Sequence, residues 1–188
     1  ARYYSFYPWL IWSLDHRFPN ADEATFVEWF RRADCLFTLI AEHHARFMSE
    51  RNELHGAAMV GRQKLVAAVQ RLLAGQTLTL ADFTAAGSSL CYFQNSFGGL
   101  SQYYAGTLIE LGIIDGSKKP WYRFSSEAGK PLAAALETMV PSDAFWDVVE
   151  RGQVTAADLS ALHAFCPCHL HQTETEERAR LVDIFFDR

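Results

Sequence analysis

The chain has 188 residues, of which 49% are hydrophobic and 14% aromatic, so the material for a substantial core is present. Seventeen Lys and Arg against 22 Asp and Glu give a formal net charge of −5. That balance argues against binding nucleic acid over the whole surface and leaves only a local basic patch for such a role. The four cysteines, Cys35, Cys91, Cys166 and Cys168, do not form the regular framework of a small secreted domain, which points to a reducing compartment.

The first predicted element runs from Tyr3 to Phe18 and is dense in Tyr, Phe and Trp. Pro8 fits the first turn of a helix, with Leu10, Ile11 and Leu14 following at helical spacing. The apolar run Phe6–Leu14 is too short to span a bilayer and lacks the basic start and cleavage site of a signal peptide. A soluble, cytoplasmic protein without membrane contact is therefore the expectation. Asn20 and Glu23 suit the opening of a second helix. Its apolar face carries Phe26, Trp29, Phe30, Ala33, Phe37, Ile40, Ala41 and His44, and Glu28, Arg31, Arg32 and Asp34 are expected off it. Met48 to Gly56 reads as a loop, and a third helix from Ala58 to Ala74 is closed by Gly75.

Thr79 and Asp82 suit a short helix start, and Gly98-Gly99 open a helix that Gly112 closes. Ile113 and Ile114 then begin an extended stretch, Asp115-Gly116 is a turn signal, and Trp121 to Phe124 supplies a returning strand. Ser125 and Ser126 lead into a helix with Leu132 and Leu136, which Pro131 forces to start late or kink. After Pro141, Ser142 is placed to cap a helix ending at Gly152. Thr155 and Asp158 form a capping box, and Thr173 with Glu176 opens a last helix reaching Phe186. The expected fold is mainly α with a small two-stranded β wing. It divides into an aromatic-rich helical region (1–75), a wing-bearing region (76–140) and C-terminal helices (141–188) packed on the same unit. Helical spacing puts Trp29, Phe30, Phe37, Ile40, Leu108 and Leu111 in the core.

Residues 79–139 resemble winged-helix (helix-turn-helix) domains. The likeness is carried by Leu111-Gly112-Ile113-Ile114 and by Tyr122-Arg123-Phe124-Ser125-Ser126-Glu127-Ala128-Gly129. The resemblance implies that the helix from Gly99 to Leu111 enters a major groove and that the wing touches phosphates. Gln102, Tyr103, Lys118, Lys119, Trp121 and Arg123 are then the candidate nucleic-acid contacts, combining cations with aromatic faces. Against tight, specific DNA binding, that helix holds no Lys or Arg. Docking of a partner protein or subunit is the alternative use of the same architecture.

The second candidate site is the stretch His163-Ala164-Phe165-Cys166-Pro167-Cys168-His169-Leu170-His171, rich in the thiols and imidazoles that bind zinc. Cys166, Cys168, His169 and His171 are the candidate ligands. A tetrahedron made wholly of such near neighbours strains a short loop, so His163 or the distant His44 or His55 is needed to complete a set. The plainer reading is an interhelix turn with a buried thiol and exposed histidines. Glu42-His43-His44 reads as a solvated helix end. Nucleophile signatures, phosphate-cradling glycine loops and dinucleotide fingerprints are absent from the sequence, and a binding or assembly module without catalysis is the expected function.

Overall fold

The structure is a computed structural model that describes residues 2–47, 60–116, 123–172 and 174–186. Helix α1 (Tyr3–Arg17) is followed by α2 (Glu23–Phe47), α3 (Arg62–Leu73), strand β1 (Leu78–Thr79) and α4 (Ala81–Thr84). A π-helical turn (Leu100–Tyr104) leads into α5 (Ala105–Glu110), and strands β2 (Ile114–Asp115) and β3 (Arg123–Phe124) precede α6 (Gly129–Glu137). Helix α7 (Ser142–Arg151), strand β4 (Gln153–Val154), α8 (Ala156–Ala161), a 3₁₀ turn (His163–Phe165), α9 (His169–Gln172) and α10 (Glu176–Phe186) complete the chain.

The fold is mainly α with a small antiparallel ribbon, as the sequence patterning implies. Ile114 pairs with Phe124 and Asp115 with Arg123 in the β2–β3 ribbon. A second two-stranded pairing joins β1 to β4, Leu78 opposite Val154 and Thr79 opposite Gln153. No strand was expected at either position, because a strand two residues long leaves almost no periodic signal.

Helix α1 is apolar on nearly every side and lies inside the molecule. Phe6, Tyr7, Trp9, Leu10 and Leu14 have no exposed surface. It runs along α6 and also touches α2 and α10. The helix begins five residues before Pro8, which therefore sits in its interior and not in its first turn. The surrounding packing offsets the lost backbone bond. Stacking of Phe6 on Phe37, with ring centroids 3.9 Å apart, joins α1 to α2. Trp9 donates through Nε1 to Glu137 at 2.5 Å, and Trp146 donates to Ser13 at 2.7 Å. Phe30, Phe37, Ile40 and Leu108 are fully buried in the same core, and Trp29 and Leu111 are partly buried against it.

Several ends differ from their sequence signals. At the start of α2 it is Asp22, not Asn20, that accepts the Thr25 backbone N–H, at 2.8 Å. Helix α7 begins at Ser142 itself, whose hydroxyl donates to Glu137. Thr175 accepts from the Arg178 N–H at the start of α10, whereas Thr173 lies outside the described residues. The Thr155–Asp158 capping box forms on α8. Pro131 falls in the first turn of α6, where its missing donor is tolerated, so that helix starts late. The loop expected at Met48–Gly56 and the first two residues expected for α3, Ala58 and Met59, also lie outside the described residues; Val60 and Gly61, expected to be helical, form a turn, and α3 begins at Arg62. No described helix is long and apolar enough to cross a membrane.

Candidate metal centre

The C-terminal half of α2 does not present solvated histidines. Glu42 is fully buried, and His43 and His44 are 3% and 7% exposed. The 3₁₀ turn and α3 pack on α2, and the His169 ring of α9 lies against His44. Arg31 and Asp34, expected off the apolar face, are buried as well. Local periodicity cannot anticipate this, because the groups that cover these side chains and bond to most of them are distant in sequence.

The Cys/His turn is held from three sides. Phe165 is fully buried against Phe145 and Trp9, with ring centroids 4.5 and 5.1 Å apart. The 3₁₀ turn closes at Cys166, and Pro167 lies within the next turn, in which the His169 N–H donates to the Cys166 carbonyl at 3.1 Å. The buried Arg2 guanidinium donates to the Ala164 and Cys166 carbonyls at 2.5 and 2.9 Å. Its other edge makes a two-bond ion pair with Glu177, at 2.9 and 3.2 Å. Neither partner of that pair has more than 1% of its surface exposed, so the charge-assisted bonds form in a dry setting. Arg2 thus ties the start of α1 and α10 to the backbone of the turn.

Held this way, the turn brings ligand atoms of His44, Cys168 and His169 to within 4.8 Å of one another. Cys168 Sγ lies 3.4 Å from His44 Nδ1. In a tetrahedral zinc site, with Zn–S of about 2.3 Å and Zn–N of about 2.0–2.1 Å, a sulfur and a nitrogen ligand sit about 3.5 Å apart. The observed separation matches one edge of such a tetrahedron, and it is also the length of a thiol–imidazole hydrogen bond. His163 stands beside the group. Its ring centroid is 6.0 Å from that of His44 and 5.4 Å from that of His169, and the His44 and His169 rings are 5.6 Å apart. Two imidazoles bound to one tetrahedral ion have centroids about 5 Å apart, near these separations, although His163 is not among the three residues whose ligand atoms converge. His163 Nδ1 lies 2.9 Å from the Ser160 carbonyl, a contact that leaves Nε2 as the nitrogen available to a ligand.

Of the sequence candidates, Cys168 and His169 belong to this group, and His171 is exposed on α9 outside it. Cys166 is fully buried and packs with Cys168 and Ala41. The Cys166 thiol donates to Cys168, which lowers the Cys168 pKa, and the Arg2 charge favours the same thiolate. Cys166 is correspondingly held as the thiol, first by this hydrogen bond and then by burial. His55 lies outside the described residues. All four cysteines are free and buried.

The nucleic-acid candidates fall elsewhere. Lys118, Lys119 and Trp121 lie outside the described residues, and Arg123 is the first residue of β3. Gln102 and Tyr103 are exposed on the π-helical turn, where the Gln102 amide donates to the Tyr103 hydroxyl at 2.9 Å. They border a cleft of about 780 Å³ whose other walls come from Arg46, α3 and the stretch after α4. No protein-family model, characterised protein or solved structure matches this chain.

Proposed function

We propose that this chain is a non-enzymatic binding and assembly module whose C-terminal half is stapled to α2 by a zinc-type ion. His44, Cys168 and His169 are the ligands, and the fourth position is taken by His163, or by Cys166 if the ion displaces its proton. The observation that carries the reading is the convergence of His44 with Cys168 and His169, across 124 residues of chain, at ligand-edge spacing. Structural zinc sites draw their ligands from separated segments and close all four positions with protein atoms. That description fits a site in which His44 and Cys168 are 7% and 1% exposed. Arg2 offsets the charge of a thiolate there, and the Ser160 carbonyl orients His163.

Elemental analysis of the purified chain, prepared without chelators, tests this. About one zinc per chain is expected, with loss of the metal in His44→Ala and Cys168→Ser. Cobalt substitution reads the thiolate directly, since sulfur ligation produces charge-transfer absorption that Cys168→Ser removes. Comparing His163→Ala with Cys166→Ser identifies the fourth ligand. Protein that retains no metal and shows no thermal response to added zinc overturns the reading.

A further inference from the structure

We infer that the Cys166-Pro167-Cys168 turn is a two-thiol redox switch, which a peroxide closes to a disulfide and a thiol reductant opens again. The disulfide chemistry stands on the turn itself, and its effect on an ion at His44 rests on the metal reading above. The backbone sets the geometry. The His169 N–H donates to the Cys166 carbonyl at 3.1 Å, and the His171 N–H donates to the Cys168 carbonyl at 3.0 Å. A turn brings its first and third Cα atoms closer than an extended chain does, into the roughly 4.4–6.8 Å range of disulfides. Pro167, with its fixed φ, stiffens that arrangement. Both side chains leave the turn on the same side and pack together against Ala41 of α2. The Cys166 thiol donates to the Cys168 sulfur, so the two sulfur atoms are already in contact. From outside the turn, the Arg2 guanidinium holds the Cys166 carbonyl at 2.9 Å.

The other two cysteines are held differently. Cys35 is fully buried in the middle of α2. The Cys91 sulfur accepts from Arg31 at 3.0 Å, and its thiol donates to the Phe93 carbonyl at 2.9 Å. Cys35 and Cys91 sit on separate elements, whereas Cys166 and Cys168 share one turn. That turn is also the outermost layer over its own sulfurs. Pro167 and His169 are half-buried, and the helix that follows, α9, is four residues long. Local opening of so short a surface segment costs less than global unfolding and admits a molecule as small as hydrogen peroxide. Opening limits the rate, so the pair reacts more slowly than an exposed thiol.

The hydrogen bond assigns the roles. Cys166 spends its proton on Cys168, so Cys168 offers the lone pair and Cys166 is the resolving thiol. The Cys168 sulfur attacks one peroxide oxygen, the O–O bond breaks and water leaves, giving a sulfenic acid. The Cys166 sulfur then attacks the Cys168 sulfur. The S–O bond breaks, the S–S bond forms, and the hydroxyl leaves with the Cys166 proton as a second water. Two electrons pass from the thiols to the peroxide. From an ion-bound Cys168 thiolate, hydroxide leaves in the first step in place of water. Metal ligation requires the thiolate, and the disulfide removes it. His44 and His169 then remain as two ligands of the three that converge, and the tie between α2 and the turn is released.

Treatment of the full chain with hydrogen peroxide, followed by alkylation of the remaining thiols and peptide mass mapping, tests the inference. The peptide carrying Cys166 and Cys168 should become about 2 Da lighter and lose both alkylation sites, about tenfold faster than Cys35 or Cys91 is modified. Dithiothreitol should restore both sites. In Cys166→Ser, Cys168 should stop at the sulfenic acid, where dimedone traps it. A zinc indicator dye should report release of the ion in step with the disulfide. The wild-type mapping involves no substitution and decides the matter even where a variant fails to fold. Persistence of both alkylation sites, passage of Cys168 straight to the sulfinic acid, or faster loss of Cys35 or Cys91 overturns the switch. Zinc still bound after the disulfide has formed overturns its coupling to the ion. A disulfide formed in a chain that never held zinc supports the switch and removes the metal reading, so the two fail separately.

Discussion

Two buried polar clusters lie on α2 about 15 Å apart along its axis, one around Asp34 and the other around His44. They solve the cost of burial in different ways. Asp34 is an acceptor surrounded by donors. The Tyr92 and Tyr7 hydroxyls reach it at 2.7 and 3.0 Å, and the Gly99 N–H at 3.0 Å. A Cβ at Gly98 would collide with its carboxylate, so the chain approaches it where only glycine fits. Arg31, one turn away, spends its guanidinium on the Asn95 and Phe93 carbonyls at 2.6 and 2.7 Å. The Asp34 carboxylate is met by three protein donors, and the Arg31 terminal nitrogens by protein acceptors, while the Arg31 Nε has no hydrogen-bond partner among the described residues. Around His44 the neighbours are two more imidazoles and two thiols, groups whose shared chemistry is a lone pair offered to a cation. The contrast teaches that burial alone does not mark a site, and that the kind of neighbour does.

The largest effect expected on α2 calibrates both clusters. Phe37 lies between them and stacks on Phe6, and Phe37→Ala should cost about 3–5 kcal/mol in denaturant unfolding. A loss under ~1 kcal/mol shows that the packing of α1 on α2 has been misread. Next in size is Asp34→Ala, which strands two hydroxyls and one N–H and should cost roughly 3 kcal/mol by the same measurement. Its effect should not change with zinc, which is what separates the two clusters.

The metal cluster should behave in the opposite way. Zinc at a hundredfold excess over its Kd stabilises by about 2.7 kcal/mol, and chelator should remove that increment from wild type. His44→Ala should unfold at the same denaturant concentration with or without zinc. A zinc response that survives in His44→Ala places the ion elsewhere.

The smallest signal is in the pH dependence. Burial raises the Asp34 pKa against the opposing pull of the Gly99, Tyr92 and Tyr7 hydrogen bonds and the Arg31 charge. A raised folded-state pKa gives a contribution that is complete below the unfolded value, near pH 3.8, and is lost as pH rises through the folded value. The stability advantage of wild type over Asp34→Asn should therefore shrink between pH 4 and pH 7. An advantage that grows over that range shows that hydrogen bonding, not desolvation, dominates at Asp34.

Much of the fold is legible in the sequence, because its signals are local. Repeats of Phe30, Phe37 and Ile40 at helical spacing, the Thr155–Asp158 box and the apolar pair Ile114 and Phe124 each specify an element from within a few residues. The Cys166–His171 stretch was visible as ligand-rich for the same reason. What the tertiary structure alone decided was partnership. His44 is one of several histidines that could complete a ligand set on paper, and the docking of the turn at Phe165 on Trp9 and Phe145 is what carries Cys168 and His169 to it. Arg31 and Asp34 read as surface residues until the Tyr92–Gly99 segment supplies their acceptors and donors. Arg46, Arg62, Lys64, Gln102 and Tyr103 belong to three stretches with no pattern in common, and only the approach of α3 to the π-helical turn makes them one cleft. Helical periodicity is enforced by bonds between residues a few positions apart, whereas the choice of a partner many residues away is made by the packing of the whole core.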